Sequence, residues 1–159
     1  MKIRKFKEND INQMIIIWNE IVEEGIAFPQ ENLLNFDTGK AFFEMQSYCG
    51  VAEDQGKIVG LYILHPNNVG RCGHICNASF AVSLECRGQQ IGRKLVEDCM
   101  DTAKKSGFKI LQFNAVVETN TFARKLYDKL GFTQLGIITN GFRMKDGHYE
   151  NICPYYKEL

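Results

Sequence analysis

A chain of 159 residues, 45% of them hydrophobic, with no linker rich in Pro, Gly or Ser, reads as one domain over residues 1–159 that can bury a core without staples. Its 19 basic and 19 acidic side chains cancel, which excludes the global positive field that draws proteins onto nucleic acid and leaves any anion binding local. The opening MKIRKFKEND lacks a signal peptide's apolar stretch, and no apolar run approaches membrane-spanning length, so a cytoplasmic protein without nucleic-acid or membrane partners is expected.

The chain begins with a short strand at residues 2–6. An amphipathic helix follows, with Ile11, Met14, Ile15, Trp18, Ile21 and Val22 at helical spacing, Asp10 and Gln13 as its capping pair and Gly25 as its stop. AFPQENLLNFDTG is loop-like, and KAFFEMQSY predicts a second short helix. GVAED, KIVGLYILHP and GHICNASFAVS alternate with turn signals and predict an antiparallel meander, with EDQGK as a hairpin turn. The period then changes: Ile91, Leu95, Val96, Cys99 and Ala103 form one stripe of a helix that Gly107 stops. Strand FKILQFNAVV, helix NTFARKLYDKLG and a tail of one or two strands complete the chain. Strand, helix, strand, helix, strand implies a right-handed crossover and parallel pairing. The fold class is α/β, a mixed central sheet with an antiparallel N-terminal meander, parallel C-terminal crossover strands and helices on both faces.

Six cysteines, at 49, 72, 76, 86, 99 and 153, form no CxxC pair, which favours reduced thiols. Cys72, His74 and Cys76 share a face if that stretch is extended, but they lack the paired short spacings of a structural zinc site, and no metal is expected.

The chemistry concentrates at two strand-to-helix junctions. In ECRGQQIGRKL, Gly88 and Gly92 stand at a helix entrance, where the first amides lack intrahelical partners and carry partial positive charge. Missing side chains let a phosphate approach those amides, and Arg87 and Arg93 add charge-assisted bonds to the same oxygens. The stretch is neither a Walker loop nor a GxGxxG dinucleotide turn. At the second junction, Asn120 precedes a helix and Tyr127 lies about two turns on. By themselves these two read as an ordinary N-cap and a tyrosine on a helix's buried rim. Ligands of α/β units collect outside the carboxyl ends of the strands, so both entrances should face one crevice.

Taken together and in this order, the two segments resemble the acetyl-CoA-binding signature of the GNAT-type N-acetyltransferase superfamily. Arg87, Gly92, Asn120, Ala123, Leu126, Tyr127, Gly131 and Phe132 match its pattern, and the element order fits to about Phe132. IWNEIVEEGIAFPQEN loosely resembles the first helix and loop of the phosphinothricin-type branch. The resemblance implies an enzyme that transfers acetyl from acetyl-CoA to a primary amine of a small molecule in a ternary complex. It assigns backbone contacts with the pantetheine arm to Phe80, Ala81 and Val82, and the pyrophosphate to Arg87, Gly88, Gln89, Gln90, Ile91, Gly92 and Arg93. Asn120 would bond near the acetyl group, and Tyr127 would protonate the leaving thiolate. Glu118, nearest in sequence to Asn120, is the expected general base. Gln90 stands where the family usually has glycine; a left-handed backbone there would strain it by about 1 kcal/mol or more. An acyl-CoA-binding regulatory module without transfer, and a protein or peptide N-acetyltransferase, are the alternatives. Dimers are common in such families, and a homodimer is compatible with this sequence.

Overall fold

The computed structural model describes residues 1–159, in the order β1 (Lys2–Lys5), α1 (Ile11–Glu24), α2 (Phe36–Glu44), β2 (Tyr48–Asp54), β3 (Lys57–Pro66), β4 (Ile75–Val82), α3 (Ile91–Lys105), β5 (Ile110–Val117), α4 (Thr121–Lys129), β6 (Thr133–Gln134), β7 (Ile138–Arg143) and β8 (Tyr149–Glu158). One sheet runs β1-β2-β3-β4-β5-β8-β6, with β7 also on β8. The meander is antiparallel, and its β2–β3 turn uses Gln55 and Gly56, both at positive φ. Parallel pairing is confined to β4 and β5; the tail supplies three strands, all antiparallel. No helix is long and apolar enough to cross a membrane.

Two apolar layers cover the sheet. Along β3, Tyr62 and Leu64 face α3, whereas Leu61 and Ile63 face α1, as the two-residue period of a strand requires. The stripe predicted for α3 is buried in full: Ile91, Leu95, Val96, Cys99 and Ala103. A buried Tyr62 hydroxyl donates to Asp98 at 2.7 Å and ties β3 to that helix. On the other face, Trp18 packs between Phe28 and Phe42, with ring centroids 4.4 and 4.9 Å away.

Local signals were overridden in three places. Asp10 does not cap α1: its carboxylate accepts from Arg4 at 2.7 and 3.0 Å and from the Lys7 amide, while Gln13 accepts from the Ile58 amide. The Arg4 guanidinium holds the Asp10 carboxyl below the usual carboxylate range. Helix α2 begins before residue 40, capped by Asn35 with Thr38, and Gly39 sits inside it, where a Cβ would come within 2.6 Å of Ile15. Phe122, whose helical spacing from Leu126 and Leu130 fits a core stripe, is exposed on α4. All six cysteines are free, and burial pushes the Cys49 and Cys76 thiols up to about 12, so both stay protonated at neutral pH.

Candidate active site

Strands β4 and β5 pair only at Ile75 with Ile110 and Cys76 with Leu111, then part. A β-bulge between Phe113 and Val116 bends β5 away. The separation leaves a cleft of about 810 Å³, walled by β4, β5, the entrances of α3 and α4, residues 26–29 after α1, and Met144 from the β7–β8 hairpin.

The direction of the strand amides follows from one bond. Ser83 donates its N–H to Val59 on β3, so alternation turns the amides of Val82 and Phe80 the other way, toward the cleft. Ala81 is turned toward β3 by its backbone and is buried against α1 by its side chain. The expected pantetheine contact at Ala81 therefore has no path to the cleft; Phe80 and Val82 keep theirs.

At the α3 entrance Gln90 adopts the left-handed conformation, φ 59° and ψ 16°, and no side chain caps the helix. The first-turn amides are thus left to solvent or a ligand. Gly88 is also left-handed, at φ 80°, and a Cβ there would meet nothing within 4 Å. Arg87, Gly88, Gln90, Ile91 and Gly92 line the cleft. Gln89 is exposed outside the wall, and Arg93, half a turn in, pairs with Glu97 at 2.8 Å instead of facing the loop. Arg87 is not free either: its guanidinium grips both oxygens of Glu24, at 2.9 and 2.6 Å.

At the α4 entrance the Asn120 Oδ1 accepts from the Ala123 amide at 3.2 Å, which leaves its Nδ2 available to the cleft that the residue lines. Tyr127 lines the same cleft, with its ring 4.5 Å from Phe113 and 5.7 Å from Tyr155 by centroid. Its hydroxyl has no hydrogen-bond partner, yet no buried side-chain polar atom goes unpartnered, so the hydroxyl opens onto the cleft. Burial pushes the phenol well above its usual value and keeps it protonated at neutral pH.

Glu118 turns away. Its carboxylate accepts from Asn151 on β8 at 2.8 Å, its carbonyl accepts from Arg124, and it is absent from the wall. Glu118 is a clasp between β5 and β8, and as a general base it faces the wrong side. Phe122 and Met144 join the wall without a sequence signal for it, Met144 through a long-range chain crossing, whereas residues 26–29 lie in the loop that the branch resemblance already singled out. The aromatic tail contributes none of its rings to the cleft: Phe142 and Tyr155 are buried, and Tyr149 is exposed.

The model of the acetyltransferase (GNAT) family matches residues 14–132, and the chain belongs to that family. It is an acetyl-CoA-dependent N-acetyltransferase. N-acetyltransferase aca1 of Schizosaccharomyces pombe is 31% identical over 95% of this chain and 80% of its own length. A GCN5-related N-acetyltransferase from Kribbella flavida superposes with a TM-score of 0.92 at 31% identity, over 99% of this chain and 97% of its own. A phosphinothricin acetyltransferase from Sinorhizobium meliloti, solved with acetyl-CoA, shares the fold at TM-score 0.92 and 20% identity, over 99% of this chain and 88% of its own.

Proposed function

We propose that this enzyme moves the acetyl group of acetyl-CoA onto a primary amine of a small molecule, by direct attack within a ternary complex in the cytoplasm. The observation that carries the reading is one cleft joining an uncapped helix entrance to an unpartnered, protonated phenol. The pyrophosphate lies against the amides of residues 88–92, where the α3 dipole and the missing side chains favour it. The pantetheine arm runs beside β4, along the N–H groups of Phe80 and Val82, and Asn120 donates to it through Nδ2. As the amine attacks, charge builds on the thioester oxygen, which the Val82 N–H is oriented to stabilise. Tyr127 gives its proton to the departing sulfur, a role that suits a phenol still neutral at working pH. The acceptor enters between residues 26–29 and Met144, a wall of Ile26, Ala27, Phe28 and Pro29 that favours an amine with an apolar body.

The test pairs two measurements. Saturating acetyl-CoA should raise the Tm by several degrees, because a ligand at about 100 times its Kd stabilises by about 2.7 kcal/mol. Thiol release should then be followed with 2-phenylethylamine, free amino acids and an alanine-initiated peptide as acceptors. A Tm that acetyl-CoA leaves unmoved would sink the proposal, and release with the peptide alone would replace the small-molecule acceptor with a protein one.

A further inference from the structure

Of the residues lining the cleft, Glu24 is the only carboxylate, and no histidine or lysine joins it. It sits on the last turn of α1, beside left-handed Gly25, where the chain turns into the acceptor wall of residues 26–29. The side chain is 25% exposed, and both of its oxygens are held by Arg87, the residue that opens the bare loop before α3. Neighbouring carboxylates are engaged elsewhere: Glu20 accepts from the Leu84 amide, Glu31 pairs with Arg143, and Glu118 takes Asn151. Lys145, the other cation near this turn, gives its Nζ to the Glu23 carbonyl.

The Arg87 guanidinium therefore stands between the carboxylate that it holds and the bare loop before α3. We propose that Glu24 is the group that receives the acceptor's ammonium, and that Arg87 withholds it until the cofactor's pyrophosphate takes the guanidinium over. This rests on the transferase reading above and adds the acceptor's chemistry and the order of binding. An ion pair at the surface is weak enough to yield to a phosphate that also meets the α3 amides. Once Arg87 swings to the phosphate, Glu24 is left partly desolvated without a cation, and a primary ammonium is the partner that restores its charge balance. The carboxylate accepts one proton from the ammonium and releases it to solvent. The neutral nitrogen attacks the thioester carbon, the C–N bond forms and the C–S bond breaks. Sulfur takes the Tyr127 proton, and the phenol is replenished by the second proton that the nitrogen loses. The sum is one amide, one free thiol and one proton released. Cofactor and acceptor thus bind with positive coupling, each favouring the other to the same degree.

The experiment measures coenzyme A affinity by calorimetry for the wild type, Glu24→Gln, Arg87→Gln and the double variant, with Glu24→Ala as a second probe of the same sign. Removing the competing charge should tighten coenzyme A binding about threefold or more, and the gain should vanish in the Arg87→Gln background, as coupled neighbours require. With the best-used amine of the three-part panel, Glu24→Gln should lower kcat/KM for the amine at least tenfold while kcat at saturating amine falls less. Coenzyme A affinity that Glu24→Gln leaves unchanged or weakens overturns the proposal, as does an unaltered kcat/KM for the amine. Wild-type protein that does not bind coenzyme A at all overturns the transferase reading first, and this one with it.

Discussion

Helix α3 starts from a left-handed Gln90 with nothing on its first amides, whereas α4 starts from Asn120, whose side chain already bonds Ala123. Behind α3 lies a fully buried stripe; α4 has no fully buried residue and is fastened by Arg124, which reaches the Tyr155 hydroxyl, the Glu118 carbonyl and Gln134. The deeply anchored helix keeps its entrance bare, and the lightly anchored one has its entrance closed. Packing elsewhere lets α3 forgo a cap, and the amides it leaves free are the ones an anion can use. Chemistry that needs a fixed donor falls to the other helix, where Tyr127 is locked among Phe113, Phe132 and Tyr155.

Substitutions at the two entrances should therefore fail in different ways. Tyr127→Phe should cut kcat by about 10²-fold or more while coenzyme A affinity stays within threefold, since a positioned acid contributes about 10²–10⁴; steady-state rates beside calorimetry check this. Because the phenol's pKa is raised, the wild-type rate should show no loss attributable to Tyr127 between neutrality and pH 10. Gly92→Asp places a carboxylate on the bare entrance, where a Cβ has room, its nearest neighbour being Val82 at 4.0 Å. Coenzyme A affinity should fall at least 50-fold with the Tm held or slightly raised, because an acid in a helix's first turn is stabilising by about 0.3–1 kcal/mol. The smallest effects are in stability. Asn120→Ala removes a cap and should cost about 1 kcal/mol, whereas Gln90→Gly relieves left-handed strain and should gain about 0.5–1 kcal/mol. Denaturant melts of this pair with opposite signs would sharpen the contrast; two losses would break it.

Much of this was legible in the residues. The α3 stripe, the β2–β3 turn and the two junctions announce themselves locally, through spacing and through Gly88, Gly92 and Asn120. What the sequence hides is chosen over long separations. Asp10 and Gln13 look like a capping pair, but Arg4 and the Ile58 amide offer them better partners. Gly39 reads as the end of a loop, yet it lies inside α2, where the close approach to α1 requires it. Glu118 is near Asn120 in sequence but is drawn to Asn151, 33 residues on, while Glu24 reaches Arg87 across 63 residues. A carboxylate's role depends on which way it faces, and no local pattern encodes that.

Strand β8 carries a consequence of its own. β5 meets β4 at only two positions, so the far wall of the cleft is held by β8, which pairs with it from Ile110 opposite Glu158 to Val117 opposite Ile152 and also supports β6 and β7. Residues 149–158 line no part of the cleft, yet the shape of the gap waits on them. The catalytic half of the molecule is then closed by pairings between residues 35 to 48 positions apart, from Val117 with Ile152 to Ile110 with Glu158. Amide exchange along β5 should report the fraying of β8, so a lesion at Cys153 or Tyr155 would present as an active-site defect from a strand that never sees the substrate.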